Sequence, residues 1–101
     1  MTRGTTPTHT FTFSVDLSDV KDFVITYVQK GKIVLEKKKD DCMISGSTIS
    51  VTLTQQETLK FDDHTSMVEI QAKVLMTGGT VLASNIFNTY VSRILNEEVL
   101  A

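Results

Sequence analysis

Asp62, Asp63 and His64 stand side by side, and they are the residue types that ligate metals. A specific metal site needs three or four converging ligands held by hydrogen bonds from a surrounding shell. Three consecutive residues in a polar break read better as a loop. Cys42 could act as a nucleophile if a base stood beside it. Its neighbours Met43 and Ile44 place it on a short apolar stretch, where a buried and inert thiol is the expectation. His9 is in phase with Phe11 and Phe13, which makes it a partly covered edge histidine rather than a ligand or a base. Lys37-Lys38-Lys39 could contact a phosphate, but Asp40 and Asp41 neutralise the run and no aromatic residue interleaves it for base stacking. A solvated edge is expected there, and edge lysines discourage strand-to-strand aggregation. Gly78-Gly79 lies between two strand-like segments and does not open a helix, so it forms no phosphate cradle. Nucleophile elbows and histidines at ligand spacing are missing as well. The sequence therefore predicts no catalytic, cofactor-binding or metal-binding residues, and a protein that is not an enzyme.

The elements that carry these residues are strands. Thr8 to Val15 alternates strictly, with Phe11, Phe13 and Val15 on one face and Thr10, Thr12 and Ser14 on the other. Asp16-Leu17-Ser18-Asp19 breaks the pattern with side chains that bond their own backbone. A second strand over Asp22–Gln29 reverses at Lys30-Gly31 into a third over Lys32–Lys37. Cys42–Ile44 is a short strand, Ser45-Gly46-Ser47 turns the chain, and Thr48–Leu53 points Ile49, Val51 and Leu53 inward. Thr54-Gln55-Gln56-Glu57 has the spacing of a capping box, so a single helical turn near residues 55–60 should plug one end with Leu59 and Phe61. Met67–Leu75 is the clearest inner strand, with Val68, Ile70, Ala72 and Val74 buried. Thr77-Gly78-Gly79-Thr80 predicts a type I′ hairpin, which needs positive φ at both central residues. Val81–Tyr90 returns antiparallel with a bulge near Ala83-Ser84-Asn85. Val91, Ile94, Leu95 and Val99 fit either a helical stripe or an extension of the last strand.

About seven short strands with a turn every eight to twelve residues describe an all-β, immunoglobulin-like antiparallel β-sandwich. The expected core includes Phe11, Ile25, Val51, Ile70 and Val74. The antibody cysteine–tryptophan–cysteine signature is absent, so only the architecture is implied. The expected organisation is a flexible arm over residues 1–7, a sandwich over 8–91 and a tail over 92–101.

The 101 residues suffice for one such domain, and a hydrophobic share of 41% is that of a globular chain. The formal charge of −2 and an isoelectric point near 5.6 provide no basic field for nucleic acid or anionic lipid. No signal peptide or membrane-spanning run is expected. The single cysteine precludes an intrachain disulfide and suits a reducing cytoplasm.

Three stretches carry a resemblance: Arg3-Gly4-Thr5-Thr6-Pro7-Thr8-His9-Thr10-Phe11, Leu53-Thr54-Gln55-Gln56-Glu57-Thr58 and Met76-Thr77-Gly78-Gly79. In this order, and with the closing Asn96-Glu97-Glu98-Val99-Leu100, they resemble a group of small proteins from phages and prophages of Gram-positive bacteria. That group is similar to the N-terminal β-sandwich module of phage baseplate upper proteins, which attaches receptor-binding parts to the tail. The resemblance implies a non-enzymatic structural or assembly protein of a tail or baseplate, acting through protein–protein contacts. Its partners would be other phage structural proteins, and a homo-oligomer is expected; nucleic acid and membrane are not. The host cytoplasm during assembly, then the virion, would be its location. Partner contacts are expected at Arg3, Thr5, Thr6 and Pro7 in the arm and at Ile94, Leu95 and Val99 in the tail. The alternative is a small ligand- or carbohydrate-binding module, for which Tyr27 and Tyr90 supply little aromatic surface.

Overall fold

The structure, a computed structural model, describes residues 1–63 and 67–101. His64, named above beside Asp62 and Asp63, lies outside the described residues. The strands in chain order are β1 (Thr8–Thr12), β2 (Val20–Gln29), β3 (Lys32–Lys38), β4 (Cys42–Ser45) and β5 (Thr48–Thr52). One helical turn, α1 (Gln55–Thr58), precedes β6 (Met67–Met76), β7 (Val81–Ala83) and β8 (Phe87–Tyr90). They form two antiparallel sheets. The smaller has the order β1-β5-β4; the larger has β3-β2-β6-β7, with β8 also paired to β6.

Strict alternation dictates the packing between the sheets. Ile49, Val51 and Phe11 of the small sheet face Phe23, Ile25, Tyr27, Val68, Ile70, Ala72 and Val74 of the large one, and all are buried. Thr54 caps α1 as its sequence predicts: its Oγ1 accepts from Glu57 N at 3.1 Å, and Glu57 Oε1 accepts from Thr54 N at 2.8 Å. Phe61 is buried against Tyr27, with ring centroids 5.9 Å apart, and Leu59 is half-buried beside Gly4.

The structure corrects several expectations. β1 ends at Thr12, because the chain turns after Phe13 N bonds Ser47 O at 2.8 Å. Val15 is consequently exposed, and Leu17 fills the core in its place. The hairpin at Thr77–Thr80 is not type I′. Only Gly79 has positive φ, at 92°, and Met76 O accepts from Gly79 N while Met76 N bonds Thr80 O. This is a three-residue loop, with the left-handed glycine last. Lys30 and Gly31, with φ of 55° and 73°, do form the two-residue type I′ turn.

The expected last strand is two strands, giving eight among the described residues. Ser84 Oγ accepts from Ala72 N at 3.0 Å, a bond that a ladder carbonyl would otherwise make. The pairing with β6 is thereby interrupted between Ala83 and Phe87. The tail after Val91 forms no helix.

Lys37 is the largest departure from the charged, solvated edge predicted for residues 37–41. It sits opposite Ile25 in the β2–β3 register, two residues from Leu35, and so points into the sandwich. It is 7% exposed. Lys38, Asp40 and Asp41 are exposed as expected.

Candidate interaction site

The residues expected to meet a partner gather at one end of the sandwich. Residues 1–7 are not a free arm. Met1–Arg3 runs parallel to the chain after β8, with Ser92 N donating to Met1 O at 2.8 Å and Arg3 N to Ser92 O at 3.0 Å. The segment then crosses over, and Leu53 N bonds Pro7 O at 3.0 Å as β1 joins the other sheet. The first extended segment thus bridges to the chain beyond β8 at its start and pairs with the small sheet at its end. Gly4 lies at the crossing with φ of 75°, and a Cβ there would meet Ile94 Cδ1 at 3.3 Å and Leu59 Cδ2 at 3.5 Å.

Side chains fasten this end further. Arg3 Nη2 donates to Leu59 O at 3.0 Å, Nη1 pairs with Glu97, and Asp63 stands 3.8 Å from Nη1. Thr5 Oγ1 donates to Thr2 O at 2.6 Å, and Thr5 O accepts from Thr58 Oγ1 at 3.0 Å. Gln55 grips the tail from both sides: its Nε2 donates to Leu100 O at 2.7 Å, and its Oε1 accepts from Leu100 N at 2.9 Å. An open cavity of about 490 Å³ remains between Gly4, Gln55, Arg93, Ile94, Leu95 and Leu100.

Of the seven predicted contact residues, Arg3, Thr5 and Pro7 hold the chain to itself, and Ile94 is half-buried on Gly4. Thr6 is exposed, as are Leu95 at 91% and Val99 at 38%. Gln55 and Gly4 were not singled out from the sequence. Gln55 reads there only as a capping-box residue, and no local pattern ties position 55 to position 100.

The other reactive groups are buried or half-buried. His9 Nδ1 and the Tyr27 hydroxyl share a hydrogen bond at 2.7 Å across the sheets. Burial lowers the His9 pKa, and the positive amino terminus adds to that. Burial pushes the Tyr27 phenol well above its ordinary range, with Cys42 and Glu57 contributing. The Cys42 thiol, half-buried on β4, is raised by burial and then by Asp41, against the pull of Lys37. A raised thiol pKa suppresses the reactive thiolate. Asp62 is tied to β2, with Gln29 Oε1 accepting from its N at 2.8 Å and Lys30 pairing with its carboxylate. Among the described residues no three of His, Cys, Asp and Glu converge on a common point, and no helix is long and apolar enough to cross a membrane.

These groups imply an acid-sensitive fold. The Glu57 carboxyl is raised by burial, yet the Lys37 and Thr54 hydrogen bonds and the Lys37 charge bring it below its ordinary value. Both the His9 and the Glu57 pKa are lower folded than unfolded, so each contributes stability above its unfolded pKa that is lost as pH falls through its folded one. The urea midpoint should therefore decline from about pH 6.5 downward, first through His9 and then through Glu57. His9→Gln should flatten the first part of that decline, and an unchanged pH profile in the variant would remove His9 from the account.

No family model, curated protein or solved structure matches the chain.

Proposed function

We propose that this protein is a structural component of a phage or prophage tail or baseplate, acting through protein–protein contacts. The observation that carries the reading is the resemblance of the Arg3–Phe11, Leu53–Thr58 and Met76–Gly79 stretches to small phage proteins. The geometry supports it in one respect: Arg3–Pro7, the 53–59 turn and the closing residues are hydrogen-bonded together at one end of the sandwich. That end is built on a rigid β-sandwich, and Leu95, Val99 and Leu100 project from it. Exposed apolar side chains beside a polar, hydrogen-bonded frame suit docking onto another protein. Leu95 is the anchor in this reading, because it is the most exposed large apolar side chain among the described residues.

The test is made in the bacterial strain that carries the gene. Tails purified after induction should contain the chain by mass spectrometry. Leu95→Asp should reduce its incorporation roughly tenfold, the loss expected of an interface anchor, with an unchanged melting temperature. Absence of the wild-type chain from purified tails would sink the proposal; undiminished incorporation of the variant would move the contact elsewhere.

A further inference from the structure

Phe87 faces the interior of the sandwich, yet it is not covered. It pairs with Ile70 in the β6–β8 register, so both side chains lie on the inner face of the large sheet; Ile70 is 4% exposed and Phe87 46%. The difference follows from the widths of the two sheets. The three strands of the small sheet face four columns of the large one, β3, β2, β6 and the β7/β8 pair. Residues 39–41 join β3 directly to β4, which sets β4 over the β3 side and leaves β1 on the side of β8. Past β1 no strand of the small sheet lies over β8 among the described residues. The Phe11 ring reaches Phe87 edge-on, with centroids 5.6 Å apart. An open groove of about 280 Å³ remains between β1 and β8, with Phe11, Ile70 and Phe87 in its walls.

The edge of β1 along this groove is unpaired. Leu53 N bonds Pro7 O and Phe13 N bonds Ser47 O, and both pairs continue the β1–β5 register. Antiparallel ladders alternate hydrogen-bonded and non-hydrogen-bonded pairs. Pro7, His9, Phe11 and Phe13 therefore turn their backbone groups to β5, and Thr8, Thr10 and Thr12 turn theirs away. Those three N–H and three C=O groups have no partner among the described residues. Such an edge is a template for pairing, and folds block it with charge, shortness or a bulge. On the far side of the large sheet, β3 exposes Lys32, Glu36 and Lys38, and β4 and β8 have four residues each. By contrast, β1 has no charged residue and no break in register, and its bonding to β5 extends from Pro7 to Phe13.

We infer that the free edge of β1 receives an extended segment of another protein chain, added as a fourth strand of the small sheet. The unpaired groups specify the backbone of the occupant: donors and acceptors alternating at strand spacing are met by a second extended chain. The groove specifies its side chains. Residues opposite His9 and Phe11 point inward onto Phe87, and no Asp, Glu, Lys or Arg lines the groove, so these residues are apolar. Residues opposite Thr8, Thr10 and Thr12 point outward beside exposed threonines and are polar. A strand added at the usual spacing of about 4.8 Å lies over β8 and covers Phe87. Space selects a lone segment over a second copy. Pairing β1 with its counterpart would carry the second copy's own β8 into the room that this β8 takes, whereas a single strand brings no second layer. The inference does not depend on the tail or baseplate reading.

The probe is a synthetic, end-blocked peptide of alternating threonine and valine, long enough to span β1. In the free chain the amides of Thr8, Thr10 and Thr12 should exchange with solvent at least about tenfold faster than those of His9 and Phe11. Peptide at ten times its dissociation constant should slow those three by about tenfold, as mass action requires. The same peptide N-methylated on the amides that face β1 should not slow them. Thr10→Pro removes the central N–H of the edge without removing a bond to β5. It should weaken peptide binding by about tenfold, the loss expected of one hydrogen bond. Phe87→Lys, at a position already half-exposed, should weaken it at least as much by placing a charge in the groove, and it decides the matter if circular dichroism shows the proline variant unfolded. No slowing at millimolar peptide overturns the inference, and so does equal slowing by the N-methylated peptide or protection of Thr8, Thr10 and Thr12 in the free chain. Protection that rises with protein concentration alone would assign the edge to a second copy and overturn it as well.

Discussion

Lys37→Met should lower the unfolding free energy by about 2–4 kcal/mol, somewhat under the roughly 3–5 kcal/mol of a fully buried ion pair that loses one member, because Glu57 keeps some exposure. Lys37 Nζ donates to both carboxylate oxygens of Glu57, at 3.0 and 2.8 Å, and their side chains are only 9% and 18% exposed. Without the ammonium, Glu57 remains largely out of water with the Thr54 amide as its remaining hydrogen-bond donor. For a domain of this size the loss corresponds to a melting temperature lower by roughly 10–25 °C. Glu57→Gln on the Lys37→Met background should recover part of it, because a neutral amide can keep the Thr54 contact with no charge left unpaired. Chemical denaturation of the single and double variants at pH 7 measures both. A single variant within about 0.5 kcal/mol of wild type, the range of an inconsequential surface change, would mean that the pair is hydrated.

Gly4→Val should cost about 2–3 kcal/mol, for two reasons that add. Left-handed backbone costs an L-residue roughly 1–2 kcal/mol, more with a β-branched side chain. The new Cβ would also press on Ile94 and Leu59 at 3.3 and 3.5 Å. Gly46→Val is the control: its φ is 58°, but nothing lies within 4 Å of a Cβ there, so only the backbone cost applies. The two variants also differ in where they act. Gly4→Val should raise amide exchange at Arg3, Ser92 and Leu100, the positions that fasten the crossing segment and the tail. Exchange at Ala72 in the central sheet should change no more than global stability does. Equal costs for the two substitutions would show that Ile94 and Leu59 yield to the added side chain.

What could be read in advance was what local periodicity encodes. Ile49-Ser50-Val51-Thr52-Leu53 can bury one set of residues only as a strand, and Thr54 through Glu57 can satisfy their own orphan amides only as a helix start. What could not be read depends on partners far along the chain. Lys37 belongs to a run of three lysines, and nothing near it announces Glu57, whose position is fixed by the turn after β5. The split of the last strand hangs on one serine hydroxyl replacing a ladder carbonyl, which a pattern of apolar residues does not record. From the sequence the arm and the tail are each expected to meet a partner, not one another; their mutual pairing joins positions about ninety residues apart and leaves no local mark.

That pairing has a kinetic side. The parallel bridge between Thr2 and Ser92 spans nearly the whole length of the chain. Loops of that length close late, because their entropy is lost before non-local contacts compensate for it. During synthesis the first three residues leave the ribosome long before Ser92 exists, so they must wait with their backbone groups unpaired while β2 through β8 assemble. The seam at this end is therefore expected to close late in folding. A nascent chain stalled before Ser92 should hold a folded β2–β3 hairpin while its opening residues remain open to proteases.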